Sequence, residues 1–267
     1  MAILKPLEEF KTLSQSYTLI DENHPKSKVR NLYKYMDLET ALICLKNRTI
    51  RFVQPSEWPD KYERHFYHAD YTDLTDDYTV TPIVWACCFT TSKMSEASWN
   101  TYRYGKQGLG NKCVKFQISR SKFREFLRND NRVKFTYEGF MDYSLSDNDI
   151  QRIHLKTSAL YPSIFSGSFT LDKFLSLLLI KRSAFKYENE FRFLITLKGD
   201  AEDKAIFIPI EWGELIDKIE VDKDMTDMEI DVLKTYLKQA NVKKRVIDSI
   251  TKSNLYNDPV EKIKIEK

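Results

Sequence analysis

Glycine and proline are scarce in this 267-residue chain, at 7 and 8 residues, which argues against long irregular regions and leaves no low-complexity tract or evident internal repeat. The four cysteines, at 44, 87, 88 and 113, include no CxxC pair, and no histidine follows at zinc-finger spacing. Reduced thiols in a cytoplasmic setting are therefore expected, with Cys88 and Cys113 as small buried apolar residues. Charge of one sign is not in excess: 42 Lys and Arg against 39 Asp and Glu leave a net charge of +3, which neither demands nor excludes nucleic acid. The longest apolar run, "FLSLLLI" at 174–180, is too short to cross a bilayer. The opening "MAILKPLEEFKTL" carries charges where a signal peptide would be apolar, so no integral membrane association is expected. GxGxxG, GxxxxGK[ST] and GxSxG are all missing, so a standard dinucleotide fold, a P-loop and a serine nucleophile elbow have no support.

What is present is apolar and aromatic: 42% hydrophobic residues, with 16 Phe, 15 Tyr and 4 Trp, supply a large core. Residues 1–30 read as a peripheral helix around 6–16 and a tether, 31–257 as one domain, and 258–267 as a tail. Asp37 is placed to cap a helix whose Leu38, Ala41, Leu42 and Leu45 form one stripe. Strands are predicted at 32–35, 49–53, 83–91, 111–119, 132–139 and 187–195, and again in "KAIFIPI" and "LIDKIEVD". Helices are expected at 92–105, 120–129 and 226–240, and 145–180 reads as mainly helical around a loop. Without a regular βαβ repeat, the pattern predicts an α+β fold, a single mixed domain with a central, mainly antiparallel sheet and flanking helices.

Candidate chemistry concentrates in "KRSAFKYENEFRFLITL" at 181–197. On an extended strand Glu188, Glu190 and Arg192 share one face, while Phe191, Phe193, Ile195 and Leu197 face the core. The charged face is either a solvated edge or the wall of a site. Adjacent carboxylates there would raise each other's proton affinity, and Arg192 would oppose that effect.

Ser95, Trp99 and Tyr102 recur at helical spacing beside Arg103, either as core or as an aromatic shelf for a flat charged heterocycle. Lys34 and Arg51 would form a phosphate patch if their strands pair, and otherwise are surface charge. Thr90, Thr91 and Ser92 cap the next helix or hold a diphosphate. His65 and His68, near Glu63 and Asp70, match no strong metal motif, and no metal site is assigned.

Taken in order, "LYKY", "TIRFVQPSEWPDKYE", the aromatic helix with "WNTY", "YENEFRF" and "LIDKIEVD…KSNLY" resemble the bacterial domain-of-unknown-function family DUF2971 over residues 31–257. More distantly, the layout is similar to ADP-ribosyltransferases: an early strand–helix unit, a hydroxyl-bearing middle strand in "FTTS" and a late acidic "ENE". Tyr33 or Lys34 stands nearest to the basic residue usual in the first strand. That resemblance implies NAD as substrate. Glu190 would stabilise charge at C1′ and Glu188 would handle the acceptor, a protein, nucleic acid or small molecule. Trp99 and Tyr102 would enclose the base. Lys34, Arg51, Thr90 and Ser92 would meet the diphosphate. The alternatives are a noncatalytic recognition or effector domain in a bacterial defence or stress system, and a nuclease or other hydrolase in which Asp60, Glu63 and Glu190 converge.

Overall fold

The strands from Asn31 to Val221 place alternate residues on two faces of a sheet, and each face packs against different clusters. The structure, a computed structural model, describes residues 16–18, 28–68, 83–103, 108–144, 146–148, 171–199 and 201–255. In chain order these form β1 (Ser16–Thr18), β2 (Asn31–Asp37), α1 (Leu38–Asn47), β3 (Thr49–Val53), α2 (Lys61–Tyr67), β4 (Trp85–Thr90), α3 (Glu96–Arg103), β5 (Cys113–Ser119) and α4 (Arg120–Asn129). There follow β6 (Val133–Phe140), α5 (Leu171–Leu177), a 3-10 turn at Ser183–Glu188, β7 (Glu190–Leu197), β8 (Ala205–Pro209), α6 (Trp212–Leu215), β9 (Ile216–Val221), α7 (Asp227–Gln239), α8 (Lys244–Asp248) and β10 (Thr251–Lys252). This is the expected α+β fold. Most of the helix predicted over 6–16 and residues 149–170 lie outside the described residues.

The strands make one mixed sheet in the order β1-β6-β7-β4-β2-β5-β9-β10, antiparallel except at its two outer pairs. On the edge of β4 opposite β7 the sheet forks. There β2 pairs at Tyr33↔Thr90, whereas β3 pairs at Val53↔Ala86 and continues to β8. Between the branches Cys88 keeps a carbonyl that neither strand meets, and the Lys34 ammonium donates to it at 2.7 Å while lying over the Phe89 ring.

The first face carries the main core. Leu32, Phe89, Phe116, Phe191 and Phe193 pack with the apolar sides of α1, α4, α6, α7 and α8, and Phe123 meets Phe193 edge-on at 4.7 Å. The second face has two smaller clusters. One joins Trp58, Leu194 and Tyr137 to α5; the other joins Tyr33, Tyr35 and Cys113 to Trp99 of α3. Between these clusters the middle of β4 and β7 stays open to a cavity. Gly139 on β6 leaves room for the Leu179 side chain, since a Cβ there would lie 2.3 Å from Leu179 Cδ1 and push that side chain aside.

Local signals account for α1. Asp37 accepts from the Thr40 N–H at 2.9 Å and the Thr40 hydroxyl at 2.8 Å, and the predicted Leu38, Ala41, Leu42 and Leu45 stripe is buried. "KKRVIDSI" contributes the short helix α8. Asp37→Ala should lower the unfolding free energy by about 1 kcal/mol, read by urea denaturation. An unchanged midpoint and slope would show that the cap contributes nothing.

Candidate functional site

The open part of the second face is a cavity of about 510 Å³, lined from β2, the 58–63 segment, β4, α3, the 181–188 segment and β7. At its wall, Arg192 is 2% exposed. Its Nε donates to Glu190 Oε1 at 2.7 Å and its Nη1 to the Leu178 carbonyl at 2.7 Å, and it pairs with Glu63 of α2. The Trp58 ring covers the guanidinium, with its centroid 4.0 Å away. Lys181 then places its ammonium 2.6 Å from Glu188, 2.9 Å from Glu190 and 3.4 Å from Glu63. Nearer the mouth, Arg182 holds Asp60 through two bonds of 3.1 and 3.2 Å, and its guanidinium lies over the rings of Tyr62 and Phe185.

The two late glutamates have opposite proton affinities. Burial pushes the Glu190 carboxyl up, but Arg192 and Lys181 outweigh it and hold the group well below the usual carboxylate range. Burial likewise raises Glu188; Lys181 opposes this and the Glu190 charge adds to it, leaving the carboxyl at about 7. Glu190 is 7% exposed and ionised, whereas the Glu188 side chain is 29% exposed and titrates near neutrality. Cys88 borders the same cavity, where burial first, and then the Glu190 charge, keep its thiol protonated. It is therefore more than the small buried apolar residue expected.

The structure brings some of the predicted residues together and separates others. Glu190, Arg192 and Glu188 do share a wall, but Glu188 is not part of the strand. It ends the 3-10 turn, and Asn189, at φ 42°, reverses the chain before β7 begins. The Thr90 hydroxyl donates to the Glu188 carbonyl at 2.6 Å, and the Ser92 hydroxyl accepts from the Asn189 amide at 2.9 Å. These hydroxyls pin the acidic turn; Ser95, bonded by the Ser98 N–H, caps α3.

Tyr102 borders the cavity and stacks on Tyr35 at 6.2 Å, with its hydroxyl pushed up to about 12 by burial. Trp99 does not border it. This residue is 4% exposed, packs edge-on to Tyr35 at 5.0 Å, and touches a separate cavity of about 140 Å³.

The Lys34–Arg51 patch does not form, because β2 and β3 do not pair and each goes to a different part of β4. Alternation points Lys34 to the core face, opposite Tyr33 and Tyr35, while Arg51 is exposed on a strand bound to β8. Arg103 is engaged by Asp222 at 3.2 Å.

Asp60 and Glu63 line the cavity with Glu190, yet each is paired with an arginine, and no three-residue metal cluster occurs among the described residues. His68 is exposed, and the His65 side chain lies outside the described residues. Sequence reasoning missed Lys181, Arg182 and Tyr143, whose hydroxyl accepts from the Glu190 N–H at 3.0 Å. The "KR" at 181–182, one 3-10 turn ahead of two glutamates, was the available signal for the first two.

No protein-family model matches the chain, and no curated relative does. Among solved structures, the chain is similar to Thermus sp. 2.9 DarT in complex with NAD+, at 12% identity and a TM-score of 0.38, covering 85% of this chain and 96% of that one. For the same protein in complex with ADP-ribosylated ssDNA the values are 12%, 0.37, 81% and 92%. Likeness at this level carries no argument about activity, which has to come from the site. Among the described residues, no helix is long and apolar enough to cross a membrane.

Two outcomes follow from the charges. Arg192→Met would leave Glu63 and Glu190 facing each other with less compensation, so it should destabilise the fold by about 3–5 kcal/mol. A loss below about 1 kcal/mol in urea unfolding would contradict a buried, fully engaged pair. The Glu190 contribution to stability is present above the unfolded carboxyl value of 4.5 and is lost as pH falls through its lower folded value. Glu188 has the opposite sign: its contribution is full below 4.5 and is lost as pH rises through about 7. Glu188→Gln should therefore flatten the decline in unfolding free energy between about pH 5 and 7. An equal decline in variant and wild type would contradict the raised carboxyl.

Proposed function

We propose that the cavity binds an NAD-type dinucleotide and breaks its N-glycosidic bond, in an ADP-ribosyltransferase-like transfer to a nucleophilic acceptor. The reading is carried by the pair of carboxylates with divided proton affinity on one wall of an aromatic cavity. Such division is how one site holds a fixed anion and a base at the same pH. In this reaction the C1′–N bond breaks and its electron pair neutralises the departing pyridinium nitrogen. Positive charge then grows at C1′, where the ionised Glu190 favours it. The acceptor nucleophile bonds to C1′ and gives its proton to Glu188. The rings of Tyr102 and Tyr33 on the cavity wall offer apolar surface to the base.

Lys61 lines the cavity, is exposed, and among the described residues has no ion-pair partner, so it takes the phosphate-binding role first expected of Lys34 and Arg51. One observation favours recognition without turnover. The other three lining cations, Lys181, Arg182 and Arg192, are all engaged by carboxylates, which limits the charge available to a diphosphate. The same pairing weakens the hydrolase reading, since the carboxylates it would use already hold protein cations.

Incubation with NAD and protein, nucleic-acid or water acceptors, following nicotinamide release and adduct mass, tests the reading. Release should rise through about pH 7 as Glu188 ionises. Glu190→Gln should slow it by about 10²–10³-fold. Binding of NAD without release would favour recognition. Neither binding nor release, or full activity in folded Glu190→Gln, would refute the assignment.

A further inference from the structure

Lys181 has no chemical step in the scheme above, yet three carboxylates converge on its ammonium. Its backbone is clamped: Ile180 bridges to Asp142, and the Lys181 N–H donates to the Asp142 carbonyl at 3.0 Å. The side chain passes the Phe185 ring at 5.0 Å and ends 2.6 Å from Glu188 Oε2, 2.9 Å from Glu190 Oε2 and 3.4 Å from Glu63 Oε1. An ammonium has three donors, so the geometry can engage all of them.

The two late glutamates depend on this ammonium unequally. Glu190 is also held by Arg192, at 2.7 and 3.1 Å, so it keeps a cation if Lys181 is removed. Among the described residues, Lys181 is the one cation in contact with Glu188. The other charged or titratable groups lining the cavity with Glu188 are Glu190 and Arg192 of β7, Asp60, Lys61, Tyr62 and Glu63 around α2, Cys88 of β4, Tyr33 and Tyr35 of β2, Tyr102 of α3, and Arg182 and Tyr187 of its own segment, with Tyr143 beyond β6. Arg182 is engaged by Asp60. Glu190 and Glu63 disfavour a second anion, Arg192 is engaged by both of them, and Cys88 and Tyr143 are neutral at pH 7.

We infer that Lys181 is the positioning residue of this site: it spans the αL turn at Asn189, fixes both glutamate side chains on one wall, and keeps Glu188 available as a base beside an anion. Its catalytic consequence rests on the NAD-cleavage reading. Its effect on the two carboxylates does not.

The two claims separate experimentally. Carboxyl-13C glutamate NMR of the full chain, with Glu188 assigned through Glu188→Gln, reports each proton affinity without any substrate. In Lys181→Met the Glu188 midpoint should rise by at least about one pH unit while Glu190 stays ionised. Lys181→Arg, which restores a cation, should return it toward the wild-type value. If Lys181→Met fails to fold, the Lys181 15Nζ signal of the wild type should move with the Glu188 titration. An unchanged Glu188 midpoint in folded Lys181→Met, or a 15Nζ signal indifferent to that titration, overturns the inference. In the NAD assay, the pH dependence of nicotinamide release should move in Lys181→Met by the same amount as the carboxyl. A carboxyl shift in a protein that never releases nicotinamide refutes the reaction and leaves the role of Lys181 standing. Release with an unmoved pH profile, despite a shifted carboxyl, overturns its catalytic part.

Discussion

A buried guanidinium imposes the strictest condition in this molecule. Removing an ion from water costs several kcal/mol unless partners replace its hydration. Arg192 meets that condition only when Glu63 of α2, Glu190 of its own strand, the Leu178 carbonyl and the Trp58 ring are all in place. Trp58, Glu63 of α2 and the turn at Leu178 are thereby tied to β7. The cavity lies where these parts meet above the sheet, and its walls are as fixed as the ion network. Lys181 extends that network by one cation in contact with Glu63, Glu190 and Glu188, and so brings Glu188 into it.

The forked sheet supplies the space. Had β2 or β3 run along the whole edge of β4, the second face at Cys88 would be flanked by continuous strand and covered like the rest. Instead the strands diverge, Lys34 closes the carbonyl left between them from the core side, and Tyr33 and Tyr35 face the opening from the other. Nearby aromatic rings then border a wall of paired charge. That combination suits a planar, charged ligand, and the divided proton affinity of its carboxylates suits bond cleavage with proton transfer.

Local features were legible in the sequence, and contacts between distant elements were not. The Asp37 cap and the α1 stripe needed only neighbouring residues. Alternation from Glu190 onward correctly sent Phe191, Phe193 and Ile195 to the main core and Glu190 with Arg192 to the other face. It failed one residue earlier, because Asn189 adopts a left-handed conformation and Glu188 reaches the wall from a turn. Trp99 and Tyr102 are three residues apart on one helix, but the larger ring is enclosed by Tyr35 and Cys113 while Tyr102 keeps an edge on the cavity. Lys34 and Arg51 were placed together on an assumed pairing of neighbouring strands, which the fork prevents. Lys181 was hidden by distance in another sense: its carboxylates come to it through a 3-10 turn and from α2, about which a periodic pattern says nothing.

The central claim is that the acidic turn and the start of β7 look into a cavity that receives the scissile end of a dinucleotide. A crystal structure with a nonhydrolysable NAD analogue tests it most directly. The account predicts the nicotinamide ribose against Glu190 and Glu188, with the ring among Tyr33 and Tyr102. An analogue bound elsewhere, with these carboxylates still closed on Lys181 and Arg192 and the cavity unentered, would contradict it.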